Sequence, residues 1–219
     1  MEWKIPQEWT YYNPTLIVLY FTKQAMKQTL ANLARAFVWE SQARNRYTIY
    51  ASVAKKAWYL QIANVFLETA EQEKEHAEWL FKMMQEFVEK EWVEMPYIDI
   101  ETTTMIKFWD TKTNLETAIA GEYEEWADMY PEFAKIAEEE WYPQFAARIK
   151  AIMVAEKHHE ERYKKLHDLV KDDLVFKRDE EIYWTCTKCG YVWKGKEPPK
   201  ICPLCGHDQG YYVKMNEDF

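Results

Sequence analysis

Two short segments of the sequence, EKEH and EKHH, each place a glutamate three residues before a histidine: Glu73 before His76, and Glu156 before His159. Side chains three residues apart in an α-helix lie on the same face, so each pair can reach one metal ion. A single pair of this kind is usually part of a solvated helix face. Two such pairs on separate helical stretches are better explained as metal ligands.

Three more glutamates extend this pattern. Glu122 and Glu125 repeat the offset of three within the segment GEYEE, and Glu40 lies in the segment FVWESQARNRY. The order Glu, Glu-x-x-His, Glu, Glu-x-x-His on four helices is the ligand pattern of a di-iron carboxylate four-helix bundle. Five glutamates nearly balance the charge of two ferrous ions, and carboxylates that face a core need such a balance. Oxygen ligands with few imidazoles favour iron or manganese over copper, although zinc could also occupy the site.

A second set of ligands lies near the C-terminus, where all four cysteines follow the spacing Cys-x₂-Cys-x₁₂-Cys-x₂-Cys. This spacing is typical of a tetrahedral thiolate site built from Cys186, Cys189, Cys202 and Cys205. In a chain without a secretory signal, such pairs indicate metal ligands rather than disulfides. The spacing alone does not distinguish an iron centre from a zinc ribbon.

The composition limits the class of protein and its partners. The chain has 219 residues, 48% of them hydrophobic, and its five glycines and eight prolines are few for an all-β protein. The net charge of −9 argues against nucleic acid or an anionic membrane as a partner. The apolar run from Leu16 to Phe21 is too short to span a bilayer, and it lacks the charged start of a secretory signal. We therefore predict a cytoplasmic protein.

The helical spacing of the apolar residues predicts an all-α bundle of four long helices. The first helical stretch contains no proline but is too long for one globular helix. We therefore divide it into helices at about 22–55 and 59–89. Residues 90–110 lose the helical period and are long enough for a crossover from one end of the bundle to the other.

Prolines and threonines mark the second half of the bundle. A third helix is predicted from about Thr113, with Thr111 or Thr113 as its N-cap, and Pro131 should kink it or start a new turn. Pro143 suits the first turn of a fourth helix, which runs to about Asp172.

The chain divides into three predicted parts: an aromatic-rich N-terminal extension at 1–21, the four-helix bundle at 22–173, and a small metal-binding β module at 182–219. The module is too short to bury an adequate core, so a metal must hold it together. Its small aromatic core is predicted to contain Tyr183, Trp193 and either Tyr211 or Tyr212.

Four segments, AFVWESQARNRY, FLETAEQEKEHA, AGEYEEWADMY and AEKHHEER, resemble the motifs of rubrerythrins, which are ferritin-like di-iron proteins with a fused rubredoxin. The segments CTKCGY and CPLCG resemble the two rubredoxin knuckles, where a glycine after the second cysteine lets backbone N–H groups turn toward sulfur. The resemblance covers residues 22 to about 215. It implies a rubredoxin-type iron in the cysteine site.

The resemblance also implies the residues of the di-iron site. Matched onto the family motif, its ligands are Glu40, Glu73, His76, Glu122, Glu125, Glu156 and His159. Glu125 is the additional carboxylate that marks rubrerythrins. In the family, the nearby iron is thought to exchange a glutamate for a histidine on reduction, which here means Glu125 for His76.

Two tyrosines match residues that hydrogen-bond the carboxylates in rubrerythrins, Tyr47 and Tyr130. Tyr47 follows Glu40 by two helical turns, so the two side chains should face the same way. The remaining charged neighbours of the ligands are expected to be solvated: Glu75, Glu124, His158, Glu160 and Glu161.

The function implied by the resemblance is that of a peroxidase, which reduces hydrogen peroxide to water at an oxo- or hydroxo-bridged di-iron site. Electrons would come from an external donor, a rubredoxin or an NAD(P)H-dependent reductase, and enter through the rubredoxin centre. A head-to-tail homodimer would lay the rubredoxin of one chain over the di-iron site of the other. Two alternatives stay open: a ferroxidase or oxygen-reducing protein, and a non-catalytic protein whose zinc ribbon is an interaction module.

Overall fold

A computed structural model describes residues 27–93 and 97–216 of the chain. Its α-helices are α1, Gln28–Lys56; α2, Leu60–Glu91; α3, Thr111–Glu124; α4, Tyr130–Glu139; and α5, Pro143–Lys171. A π-helical segment, Glu125–Met129, joins α3 to α4 without a loop. The helices therefore form the four predicted rods of a bundle, and the third rod consists of α3, the π segment and α4. The predicted N-terminal extension at 1–21 lies outside the described residues.

The start of α3 differs from the prediction in its capping residue. The side chain of Asp110 accepts a hydrogen bond from the backbone N–H of Thr113 at 2.8 Å, so Asp110 is the N-cap. The prediction of Thr111 or Thr113 was wrong, since Thr111 is already the first helical residue. A carboxylate at this position satisfies a free backbone donor and also interacts favourably with the helix dipole.

Pro131 and Pro143 lie where helices of the bundle begin. Pro131 occupies the first turn of α4, directly after the π segment, and Pro143 begins α5. Proline has no N–H to donate, so it is tolerated in a first turn and disrupts a helix interior. The interruption of the third rod at Pro131 thus agrees with the prediction.

Two apolar clusters fill the bundle interior at different levels. One contains Leu33, Leu80, Phe133 and Ile149, and the other contains Tyr47, Phe66, Leu115 and Tyr163. Along each of the four rods, the glutamates and histidines of the predicted metal site lie between the residues of these two clusters. The apolar packing on either side therefore holds the polar layer in place.

The C-terminal module is a three-stranded antiparallel sheet of β1, Ile182–Cys186; β2, Val192–Gly195; and β3, Tyr212–Lys214, in the order β2-β1-β3. Its core contains Trp184, Cys186, Cys202 and Tyr212. The predicted core residues Tyr183 and Trp193 are 52% and 39% exposed, so that prediction was wrong. Side chains alternate along a strand, which puts Tyr183 on the face opposite Trp184, and Trp193 lies on the edge strand β2.

The module lies against the loop between α1 and α2. Gly210, in the short 3₁₀ turn before β3, touches the backbone of Trp58 so closely that a Cβ atom there would overlap its carbonyl oxygen. Only glycine permits this approach. Among the residues that the structure describes, no helix is long and apolar enough to cross a membrane.

Candidate metal centres

The polar layer of the bundle brings together two groups of possible metal ligands. One group is Glu40, Glu73, His76 and Glu156, and the other is Glu73, Glu122, Glu156 and His159. Within each group the ligand atoms lie no more than 4.8 Å from one another. Because Glu73 and Glu156 belong to both groups, the arrangement suits two neighbouring metal ions that share two bridging carboxylates.

The distances show how the two shared glutamates are divided between the histidines. Nδ1 of His76 lies 2.8 Å from Oε1 of Glu156 and 3.1 Å from Oε2 of Glu73. Nδ1 of His159 lies 2.8 Å from Oε2 of Glu156 and 3.2 Å from Oε1 of Glu73. Each shared glutamate thus directs one oxygen toward each histidine, as a bridging carboxylate would.

Each group is completed by one carboxylate of its own. Glu40 places Oε2 at 3.9 Å from Nδ1 of His76, and Glu122 places Oε2 at 3.3 Å from Nδ1 of His159. The ligands come from all four rods: α1 carries Glu40, α2 carries the first Glu-x-x-His pair, α3 carries Glu122, and α5 carries the second pair.

The buried atoms of this layer lack hydrogen-bond donors, and this observation tests whether metal ions fit. The atoms without a partner among the described residues include Glu40 Oε2, Glu73 Oε1, Glu122 Oε2, Glu125 Oε2, both Oε atoms of Glu156, and His159 Nδ1. Burying ionised carboxylates without compensation is very unfavourable. Two divalent cations would satisfy these atoms and neutralise most of the charge, so the residues fit a dinuclear metal site.

Glu125 lies in the same buried layer but outside both groups. Its Oε1 accepts a hydrogen bond from the indole N–H of Trp39, and its Oε2 has no partner among the described residues. The structure therefore places His76, and not Glu125, with Glu40 and the shared glutamates. Trp39 was not predicted as a site residue. The sequence feature that could have indicated its role is its position next to Glu40.

Both tyrosines singled out in the sequence contact the site carboxylates. The hydroxyl of Tyr47 donates to Oε1 of Glu122 at 2.5 Å, and the hydroxyl of Tyr130 donates to Oε1 of Glu40. Each bond joins two different rods, since Tyr47 lies on α1 and Tyr130 begins α4. The hydrogen bonds leave the second oxygen of each carboxylate directed at a histidine.

Burial and mutual repulsion control protonation in the metal-free layer. Burial raises the pKa values of Glu40 and Glu125, and burial together with the charge of Glu73 raises the pKa of Glu122 to about 8. Burial alone would lower the pKa of His76, but Glu156 and Glu73 outweigh it and raise the pKa to about 10. Protons thus occupy the layer without metal, and metal binding must release them.

One of the neighbours expected to be solvated is buried. Glu160 is 3% exposed, with its carboxylate 2.6 Å from Nζ of Lys164, and it accepts a hydrogen bond of 3.2 Å from the indole of Trp126. The prediction for Glu160 was wrong because Trp126, in the π segment, covers this side of α5. The other four residues of that set are exposed, as predicted: Glu75, Glu124, His158 and Glu161.

The four cysteines of the module converge on one point. All four Sγ atoms lie within 4.8 Å of one another, and Cys186 and Cys202 are buried while Cys189 and Cys205 are partly exposed. Gly190 and Gly206 follow the second cysteine of each pair with φ values of 76° and 71°. Their N–H groups donate to the carbonyls of Cys186 and Cys202 at 2.8 and 2.9 Å, which closes each knuckle.

A bundle with two carboxylate-rich metal positions, followed by a knuckle module with four thiolates, defines the class of ferritin-like di-iron proteins that carry a rubredoxin-like domain. The family model described as Rubrerythrin matches residues 31–167, and the model described as Rubrerythrin, rubredoxin-like domain, matches residues 184–213. The chain belongs to the rubrerythrin family.

Individual relatives agree with this assignment. The chain is 47% identical to Rubrerythrin-1 of Clostridium acetobutylicum over 88% of its own length and 96% of the relative. It is 48% identical to a putative rubrerythrin of Methanocaldococcus jannaschii, over 89% of its own length and 96% of the relative.

Solved structures resemble the fold. A structure of mixed-valence nigerythrin matches with a TM-score of 0.57 and 29% identity, over 88% of this chain and 89% of nigerythrin. The bacterioferritin of Desulfovibrio desulfuricans matches with a TM-score of 0.58 over 67% of this chain and 82% of that one. At 19% identity it supports the ferritin-like fold alone. The cofactor sites are accordingly a di-iron site in the bundle and a rubredoxin-like metal site on the four cysteines.

Proposed function

We propose that the protein is a peroxide reductase, which reduces hydrogen peroxide to water at the di-iron site. The observation that carries this proposal is Glu125, a fully buried carboxylate that adjoins the two ligand groups and belongs to neither. A ferritin-like site needs only one carboxylate on the third rod. The additional one supplies an alternative ligand and a proton acceptor beside the place where a small oxidant can bind.

The reaction needs two electrons and two protons for each peroxide molecule, and it forms two molecules of water. Bound iron supplies the two electrons and polarises the O–O bond. The chain excludes bulk water with the two apolar clusters and holds Glu122 and Glu40 in place through Tyr47 and Tyr130. The unpartnered Oε2 of Glu125 is available to take up or release a proton during the reaction.

The experiment that tests the proposal compares two oxidants. The protein is reduced anaerobically and mixed in a stopped-flow instrument with either stoichiometric hydrogen peroxide or dissolved oxygen. Peroxide should reoxidise the di-iron site at least about tenfold faster, which corresponds to a barrier lower by about 1.4 kcal/mol. Equal rates would contradict the proposal and favour a ferroxidase.

We also propose that electrons enter through the cysteine centre. Replacing Cys186 and Cys202 by serine should remove the red colour of the ferric Cys₄ site and stop turnover with an external donor. After chemical reduction, the bundle of this variant should still react once with peroxide. Full donor-driven turnover in the variant would show that electrons enter elsewhere, and a colourless wild-type module would favour zinc.

We further propose a head-to-tail dimer that carries electrons between chains. Within one chain the module follows the end of α5, and His159 lies twelve residues before that end, about 18 Å along the helix. In a head-to-tail dimer, the module of the partner chain can lie closer to the bundle layer than the chain's own module does. Mixing Glu73→Ala protein with Cys186→Ser protein, under conditions of subunit exchange, should recover donor-driven peroxidase activity. No recovery despite proven exchange would mean that electrons travel within one chain.

A further inference from the structure

The outer nitrogen of His159 has a specific hydrogen-bond partner. Nδ1 of His159 faces the carboxylates of the bundle layer, while Nε2 lies 3.0 Å from Oε1 of Gln72 on α2. An amide oxygen only accepts hydrogen bonds, so this contact requires the proton of the neutral imidazole to reside on Nε2. The lone pair of the ring is then on Nδ1, the nitrogen that points into the metal site.

The orientation of the Gln72 amide is determined by its other neighbours. The guanidinium of Arg162 donates to Oε1 of Gln72 at 3.5 Å, and Nε2 of Gln72 donates to Glu68 at 3.5 Å. The opposite orientation of the amide would place an NH₂ group against a cation and an oxygen against a carboxylate. The two charged groups therefore keep the oxygen of Gln72 directed at His159.

Arg162 is itself held firmly. It donates to Glu68 at 2.7 Å and to the hydroxyl of the fully buried Thr69 at 2.5 Å. Arg162 follows His159 by three residues on α5, and its partners lie on one stretch of α2. The hydrogen bonds from α5 to α2 thus lie directly outside the metal layer.

The other histidine of the site has no equivalent support. Nδ1 of His76 faces the carboxylates, but within residues 27–93 and 97–216 no hydrogen bond is formed by its Nε2. The side chain of His76 is 14% exposed, compared with 3% for His159. The two histidines are therefore supported differently: His159 is held from both sides, by the carboxylates and by Gln72, whereas His76 is held only by the carboxylates.

We propose that Gln72 is a positioning residue which, together with Arg162, fixes the Nε2-protonated tautomer of His159 and so keeps Nδ1 available to the metal ion. Outer hydrogen bonds of this kind typically contribute 10- to 100-fold in metal affinity. The proposal concerns metal binding and does not depend on which oxidant the protein reduces. It predicts a strong effect on the ion bound by Glu122 and His159, and little effect on the ion bound by Glu40 and His76.

The experiment uses full-length protein in which zinc, which is diamagnetic, occupies the cysteine site and the bundle. Gln72→Leu should remove the slowly exchanging Nε2–H signal of His159 from the NMR spectrum. It should also weaken zinc binding at one of the two bundle positions by about 10- to 100-fold in chelator competition. Gln72→Glu retains an acceptor for His159 and for Arg162, and Arg162 offsets the new charge beside Glu68, so this variant should keep the signal and most of the affinity.

A matched control and a second variant complete the test. Gln144 on α5 also bonds across to α2, through Glu86 at 3.4 Å, but it lies far from the layer along the helix, and Gln144→Leu should change neither measurement. Arg162→Gln leaves Gln72 in place and should make exchange of the His159 Nε2–H proton faster, since the amide can then rotate. A persistent Nε2–H signal and unchanged zinc affinity in Gln72→Leu would overturn the proposal. If that variant does not fold, an unchanged exchange rate in Arg162→Gln would overturn it.

Discussion

The two metal centres of this chain are built in opposite ways. The bundle layer takes its ligands from four rods, buries all of its glutamates, and lies between two large apolar clusters. The module takes its ligands from two knuckles of a short sheet, and two of the four members of its core are cysteine ligands themselves. The comparison teaches that the bundle has a core of its own and offers a prepared site, whereas the module depends on its metal for a core.

The sharpest way to test this difference is to remove all metal. The module should lose its structure because structural metal sites of this type contribute about 10 kcal/mol or more to folding. Hydrogen exchange should therefore become fast across β1, Ile182–Cys186, while the cores of α1 and α5 stay protected. Exchange that is equally slow in both regions of the metal-free protein would contradict the comparison.

The second prediction concerns the shared ligands of the bundle. Glu156 belongs to both ligand groups, whereas Glu122 belongs to one. Glu156→Ala should therefore reduce the iron content of the bundle from two ions to none, and Glu122→Ala should leave one ion. Metal analysis after gel filtration measures this, with the iron of the module as an internal control. Retention of two ions in Glu156→Ala would show that the groups do not share this ligand.

The third prediction concerns the effect of pH on the metal-free bundle. The folded-state pKa of Glu122 is about 8 and that of His76 about 10, above their ordinary values of 4.5 and 6.5. A raised folded-state pKa gives stability that is complete below the ordinary pKa and is lost as the pH rises through the folded-state value. The free energy of unfolding should therefore fall by several kcal/mol as the pH rises, from about pH 4.5 to 8 through Glu122 and from about pH 6.5 to 10 through His76.

Urea denaturation of the metal-free protein at several pH values measures this fall. Glu122→Gln cannot ionise at this position, so its stability should depend less on pH below about pH 8. Stability that rises with pH over the same range would contradict the assigned protonation of the layer. Metal affinity should change in the opposite direction and increase with pH, because binding releases these protons.

The fourth and smallest effect concerns the ends of the helices. A tryptophan lies one or two residues past the end of each of three helices: Trp58 after α1, Trp92 after α2 and Trp141 after α4. Their φ values are 63°, 53° and 69°, in the left-handed region where glycine is favoured. This conformation costs about 1–2 kcal/mol for an L-residue. Trp141→Gly should thus stabilise the bundle by about 1 kcal/mol in a urea titration, after allowance for the greater freedom of glycine in the unfolded chain.

Trp109 provides the control for this prediction. It is exposed to a similar degree, 77% compared with 85% for Trp141, but its φ is not positive. Trp109→Gly should therefore bring no gain in stability. An equal gain in both variants would mean that removal of an exposed indole, and not relief of the backbone, is responsible. Neither variant should change the colour of the module.

The sequence predicts those features that depend on spacing along one helix. Helical periodicity and proline chemistry predict the Glu-x-x-His pairs and the start of α5 at Pro143. The length of the first helical stretch predicts the break near Trp58, and the structure has all of these features. Features that arise between helices were missed. Burial of Glu160 requires Trp126 to reach across from the π segment, which is a property of tertiary packing.

The hydrogen-bond partners of the site show the same limit. Tyr47 shares a helix with Glu40, but its hydroxyl donates to Glu122 on α3. The bond from Trp39 to Glu125 and the bond from His159 to Gln72 also join different rods. The periodicity of a single helix indicates which residues face the core, and it carries no information about the helix on the other side.

The measurement that tests the central claim most directly follows both centres in one experiment. Fully reduced protein is mixed anaerobically with excess hydrogen peroxide, and the red colour of the ferric cysteine centre is recorded with time. Electrons should leave the cysteine iron only by way of the bundle, so the colour should return after the di-iron site is oxidised. In Glu156→Ala, which should lack the bundle metals, the colour should return far more slowly. Return of the colour at the wild-type rate in that variant would show that peroxide oxidises the cysteine centre directly, and would contradict the account.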